Sequence, residues 1–214
     1  MNRSTRLAVA ALTASAALLL TACGGGSDDD NGNDKIAGAD TGTKESASPS
    51  ATADGIDRPE IKLPSDDKLV FEEPDDAKEA SVLDDNQQFI RATDDAVVRG
   101  NPKSAALRFY AKGEALKVSV DWVKQFVDAG QSVSGTVRYY NRKVTFLKDG
   151  SAGLTYCGDE TKAYNKDRKT GKRSDGVSSS NDAYVFYNLH LEKDPRGVWQ
   201  VEQMMSKRGA QQCR

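Results

Sequence analysis

Apolar residues occur along this chain in blocks of different period. Leu7 to Leu20 is an almost unbroken apolar run with no acidic residue, about fourteen residues long. That length is too short to cross a hydrocarbon core of roughly 30 Å as a mature helix, and it suits the cleaved core of an export signal. Apolar residues then become scarce from Gly24 to Asp76, where Phe71 is the one aromatic. From Asp75 to Val98 they return as Val82, Phe89, Ile90, Ala96 and Val97 among Ala, Asp, Glu and Gln, and Gly100-Asn101-Pro102 closes this first predicted helix. Pro102 suits the first turn of a shorter helix reaching about Tyr110. Between Glu114 and Ala129, Leu116, Val120, Val123 and Val127 make one stripe, with Trp122 and Phe126 beside it, and Gly130 stands where a C-terminal cap belongs.

After Gly130 the pattern turns to strands. Val133 to Leu147 is rich in β-formers (Val137, Tyr139, Tyr140, Val144, Phe146), and Asp149-Gly150 is a hairpin signal with Ala152 to Cys157 returning from it. Tyr184 to Leu191 alternates two apolar-leaning faces, as a strand covered on both sides does. Asp194-Pro195-Arg196-Gly197 is a turn, and Val198 to Met205 completes a second hairpin. Asp159 to Asn181, between the hairpins, reads as a long polar loop. Helices followed by a meander predict an α+β fold, with N-terminal helices packed in a curved antiparallel sheet. Trp122, Phe126, Tyr139, Phe146, Tyr187 and Trp199 are expected to share its core.

Charge divides the chain more sharply than its overall net of −2 suggests. Residues 24–76 carry fifteen Asp/Glu against five Lys/Arg, a net of −10; residues 77–214 carry seventeen against twenty-three, a net of +6. The acidic segment lacks the apolar surface to offset its ordering entropy, so it is expected to be a disordered tether. As a coil of about fifty residues it spans roughly 40 Å. Ile61 to Phe71 could still dock locally on the domain.

Arg3 and Arg6 precede the apolar run, and Leu20-Thr21-Ala22-Cys23 follows it. That tetrapeptide resembles the bacterial lipobox: small residues let a peptidase close on the bond, and the thiol takes a diacylglyceryl group. The resemblance implies a palmitate-type lipid anchor at Cys23 and a protein on the outer face of a membrane. Two or more acyl chains suffice for stable anchoring. The expected organisation is a signal peptide over 1–22, a tether over 23–76 and an α+β domain over 77–214. Nucleic acid is excluded by compartment and by the lack of any motif for it.

A second resemblance lies in the order of elements. Trp122 falls in the helix before the sheet and Tyr156-Cys157-Gly158-Asp159 ends a strand. Thr170-Gly171-Lys172 follows in the loop, Val198-Trp199-Gln200-Val201 in the last strand, and Cys213 near the end. This is similar to a group of actinobacterial lipoproteins with a cone domain like nuclear transport factor 2 and ketosteroid isomerase (SnoaL-like). The resemblance covers about residues 80–214. It implies a pocket between helices and concave sheet, and no particular function.

Acylation of Cys23 leaves Cys157 and Cys213, an even pair in an exported protein, where an oxidising compartment favours a disulfide. Two free thiols are the alternative, although neither Cys-x-x-Cys spacing nor a partnered His supports redox chemistry. The one histidine, His190, shares a strand face with Tyr184, Phe186 and Asn188. If that face lines the pocket, the four residues orient a ligand and His190 carries protons; otherwise His190 is a hydrogen-bonded strand residue. One His gives no multi-His metal site, and no cofactor is implied. The Asp and Tyr roles of ketosteroid isomerase do not map: Asp94 and Asp95 read as solvent-facing, and only one of Tyr139 and Tyr140 can point inward. The sequence thus points to a lipid-anchored, non-catalytic domain for a small apolar ligand or an envelope protein. Its alternatives are an isomerase or cyclase using a pocket His and Tyr, and an envelope protein binding anionic polymers through Lys162, Lys166, Arg168, Lys169, Lys172 and Arg173.

Overall fold

The computed structural model describes residues 55–74, 76–174 and 181–214. Cys23, the signal segment and most of the tether lie outside them, as does the Ser178–Ser180 run. The elements are β1 (Asp67–Phe71), α1 (Ala80–Arg99), α2 (Ala105–Tyr110), α3 (Gly113–Asp128), β2 (Gln131–Phe146), β3 (Ala152–Asp167), β4 (Tyr184–Lys193) and β5 (Trp199–Arg208). The strands form one sheet in sequence order; β1 runs parallel to β2 and every later pair is antiparallel. Helices pack against this curved sheet, which is the α+β arrangement the periodicity predicts. Among the described residues no helix is long and apolar enough to cross a membrane.

Local chemistry sets the ends of the elements. Gly100 (φ 64°) caps α1, with the N–H of Asn101 donating to Ala96 O at 2.8 Å. Ser104, rather than Pro102, starts α2: its Oγ accepts from the N–H of Leu107 at 3.3 Å. Gly130 (φ 64°) ends α3 as expected. At the β4–β5 turn, Asp194 Oδ1 accepts from the N–H groups of Arg196 and Val198 at 2.9 and 3.0 Å. Gly135 (φ 101°) is required in β2, because a Cβ there would lie 2.1 Å from the Lys162 carbonyl oxygen. The register shifts beside it, between Thr136 and Arg138, and β2 bends there.

Two boundaries differ from expectation. The tether does not run to residue 76: β1 lies within it, and Ile56, Ile61, Leu69 and Phe71 pack against the core. These few apolar residues suffice because the β1 backbone is paired with β2 and Arg58 is bonded to the buried Asp85 at 2.7 Å. Nor is the first part of the expected Asp159–Asn181 loop a loop. Strand β3 continues to Asp167, paired with Gln131–Thr136 of β2. Its charged residues conceal the strand because one edge of each is solvated.

The core joins Val82, Leu83, Phe89 and Val97 of α1 to Leu154, Leu189, Leu191 and Val201 of the sheet. Phe146 does not join it, being 51 % exposed, and Trp122 is 39 % exposed at the edge of α3. Cys157 and Cys213 form a disulfide, Cα–Cα 5.5 Å, on the opposite face of the sheet. Tyr140, Tyr184 and Phe186 pack around it.

Candidate functional site

A cavity of about 320 Å³ lies between α1, α3 and the concave face of the sheet, at the small end of the range for ligand sites. Its roof follows from helical spacing. Ile90 and Asp94 of α1 are four residues apart, so both reach the cavity, as do Ser119 and Trp122 of α3. Its floor is aromatic. Phe71, Tyr139, Tyr156 and Tyr187, one from each of β1 to β4, succeed one another with ring centroids 5.1, 5.8 and 4.8 Å apart. The last three line the cavity. Tyr139 pairs across the strands with Gly158, where a Cβ would stand 3.2 Å from the Tyr187 ring and 3.6 Å from that of Tyr139. The missing side chain is what lets two tyrosines converge.

Carboxyl groups are set into these walls. Asp67, at the start of β1, is 8 % exposed, and its Oδ2 has no hydrogen-bond partner among the described residues. Burial pushes its pKa up to about 6, with Lys166 and Arg91 opposing and Asp66 reinforcing the rise. Asp94 is half-buried and lines the same cavity. Burial first, then the negative charges of Asp67 and Glu160, raise its pKa well above the ordinary carboxylate range. Burial likewise raises Tyr139, Tyr156 and Tyr187, so all three remain protonated donors at neutral pH. Glu160 is paired with Arg208 at 2.6 Å. The cavity therefore offers apolar walls, neutral hydroxyl donors and a carboxyl pair able to hold or exchange a proton.

No family model matches the chain, and no curated protein does. Solved structures that resemble it include the intermembrane space region of the chloroplast protein ARC6, with 14 % identity over 64 % of this chain and 99 % of that one, TM-score 0.40. A ketosteroid isomerase-like protein from Erwinia carotovora atroseptica shows 12 % identity over 62 % and 97 %, TM-score 0.39. ActVI-ORFA from Streptomyces coelicolor shows 8 % identity over 59 % and 94 %, TM-score 0.41.

The pocket set expected from sequence lies on the wrong face. In β4 it is Val185 and Tyr187 that line the cavity. Tyr184 and Phe186 pack by the disulfide, Asn188 is exposed, and His190 is on the outer face, its Nε2 3.0 Å from Ser151 Oγ and its Nδ1 3.3 Å from Glu202 Oε2. His190 is thus a hydrogen-bonded strand residue and carries no proton into the pocket. His190, Glu192 and Glu202 bring one ligand atom each within 4.8 Å of one another. Lys112 Nζ already sits 2.5 Å from Glu192 Oε2, supplying the cation there.

Asp94 and Tyr139 point inward, contrary to the solvent-facing reading of Asp94. The missed signal is the spacing Ile90, Asp94, Val97, which sets an acid on an apolar stripe. Asp95 is also buried, at 6 % exposure, and pairs with Arg99 at 2.7 Å. The basic loop is largely structural. Lys166 holds Asp66 at 2.9 Å, Arg168 donates to backbone carbonyls, and Arg173 lies over the Tyr164 ring.

Proposed function

We propose that this chain is a lipid-anchored protein on the outer face of a membrane, held through Cys23, whose folded domain binds a small, largely apolar ligand. The signal-like apolar run and the lipobox-like Leu20-Thr21-Ala22-Cys23 support the location. The observation that carries the binding reading is the cavity itself. An apolar chamber with hydrogen-bonding groups placed at a few points is what a small-molecule site requires, and a core serving stability alone leaves few voids larger than a water molecule.

The test is native mass spectrometry of the full chain after equilibration with a mixed lipid and metabolite extract. A retained small-molecule mass that disappears in Ala163→Phe, which fills the cavity, is the expected result. Apo protein in every extract counts against the reading.

A second reading is proton transfer on a carbonyl compound, and the Asp67–Asp94 pair supports it. One carboxyl titrating near 6 can move a proton at neutral pH, beside tyrosine hydroxyls that can stabilise a developing oxyanion. Deuterium uptake at the α-carbon of cyclic ketone probes, lost in Asp94→Asn, would separate this from binding alone.

A further inference from the structure

We propose that the apolar ligand of the cavity carries a protonated amine, held by the carboxyl pair Asp67 and Asp94. This rests on the pocket reading above and names the ligand's chemical class.

Charge matching around the cavity is the first ground. Glu160 is matched by Arg208 at 2.6 Å, and Asp66 by Lys166 at 2.9 Å. Lys166 acts on Asp67 more strongly than Arg91 does, but it is hydrogen-bonded to Asp66, on which Arg173 also acts; the cation that Asp67 and Asp94 share is Arg91 of α1, whose guanidinium stands 5.4 Å over the Phe71 ring. Two carboxyls with one guanidinium leave a negative charge unmatched whenever both ionise. In the empty cavity a bound proton removes it; in the occupied one, a ligand cation can.

Hydrogen bonding is the second and independent ground. Asp67 lines the cavity and its buried Oδ2 has no donor among the described residues; Ser119 of α3, 1 % exposed, lines it too, and its Oγ likewise has no partner among them. A carboxylate oxygen only accepts, so what completes it is a donor. A neutral hydroxyl supplies the bond and leaves the charge. An ammonium supplies both, with up to three N–H groups to divide between the two carboxyls. A carboxylate or phosphate ligand would instead bring like charge against the pair, and the cation on the wall, Arg208, is already engaged by Glu160.

The experiment is an NMR titration of the full chain near neutral pH with three probes of one shape: naphthylethylamine, naphthylethanol and naphthylacetate. The amine is expected to bind about tenfold more tightly than the alcohol, reflecting a charge-assisted rather than a neutral hydrogen bond, and the acetate more weakly than either. Asp67→Asn and Asp94→Asn should each abolish the amine's preference over the alcohol, and the dispersed amide spectra of the free variants show that they fold. Equal binding of amine and alcohol, or an amine preference that survives both substitutions, overturns the amine assignment and leaves the pocket reading standing. Failure of all three probes to bind overturns both.

Discussion

The carboxylate of Asp85, in the first turns of α1, accepts the backbone N–H of Trp199 at 2.8 Å, joining residues 114 positions apart. Its other oxygen accepts from Arg58 at 2.7 Å, so one acid ties the helix to the start of β5 and to the segment before β1. Asp85 is 3 % exposed. Replacing it by Ala leaves the buried N–H of Trp199 without this acceptor and removes the ion pair to Arg58. Asp85→Ala should therefore cost about 3 kcal/mol, read as a lower urea midpoint with unchanged slope. Loss of protection of the 55–66 backbone in hydrogen exchange should accompany it.

Asp67 gives the protein a pH dependence of unusual sign. Its folded pKa is raised to about 6 from the ordinary 3.8. Between those values the native state holds more protons than the unfolded chain, so stability falls as pH rises. Acids with lowered pKa values, such as Asp66 and Asp194, act in the opposite direction at lower pH, so the comparison must be between variants. The stability of wild type minus that of Asp67→Asn should decline from about pH 4 to about pH 6. A flat difference across that window would show that Asp67 titrates normally.

How legible these features were depends on how local their causes are. Gly130, Asp149-Gly150 and Asp194-Pro195-Arg196-Gly197 could be read directly, because turn and cap chemistry acts within a few residues. The class of fold followed from the change of period after Gly130. The inward face of β4 could not be read, because both faces lean apolar. Tyr184 and Phe186 owe their apolar surroundings to the disulfide patch, a contact with the C-terminal tail, so their face looks from sequence as able to line a pocket as the true one. Asp94 reads as a surface acid because acids usually are. Its environment comes from β1 and β3, far along the chain. The second half of β3 is hidden for the converse reason: its charges are paired by distant partners, Lys166 by Asp66 and Glu160 by Arg208, which no local pattern announces.

The disulfide should be structural. It joins positions 56 residues apart, a loop whose closure contributes about 4 kcal/mol in the chain-entropy model. The Tyr140 hydroxyl also donates to the Cys213 carbonyl, so the tail is held at two points. Reduction, or Cys213→Ser, should lower the melting temperature by about 10 °C and open residues 209–214 to carboxypeptidase. Probe binding in the cavity should be unchanged wherever the protein is still folded, since the bridge lies on the other face of the sheet. A loss of binding at temperatures well below melting would contradict that separation.

Arg168 provides the sharpest test of the basic loop. Its guanidinium donates to the carbonyl oxygens of Val98, Val97 and Gln131 at 2.6, 2.5 and 2.7 Å. It thereby closes the C-terminal end of α1, where a positive charge also meets the negative end of the helix dipole, and ties that end to the start of β2. A planar fork can serve three carbonyls at once, whereas an ammonium on a shorter stem cannot reproduce that geometry. Arg168→Ala should cost about 2 kcal/mol, near 6 °C in melting temperature, and Arg168→Lys should recover less than half of the loss. Lys169→Ala and Lys172→Ala, which alter exposed residues of the same loop, should leave stability unchanged. If the loop served to bind anionic polymers, the ordering would reverse: the two lysine variants would weaken salt-sensitive binding to wall polymers, and Arg168→Lys would behave as wild type.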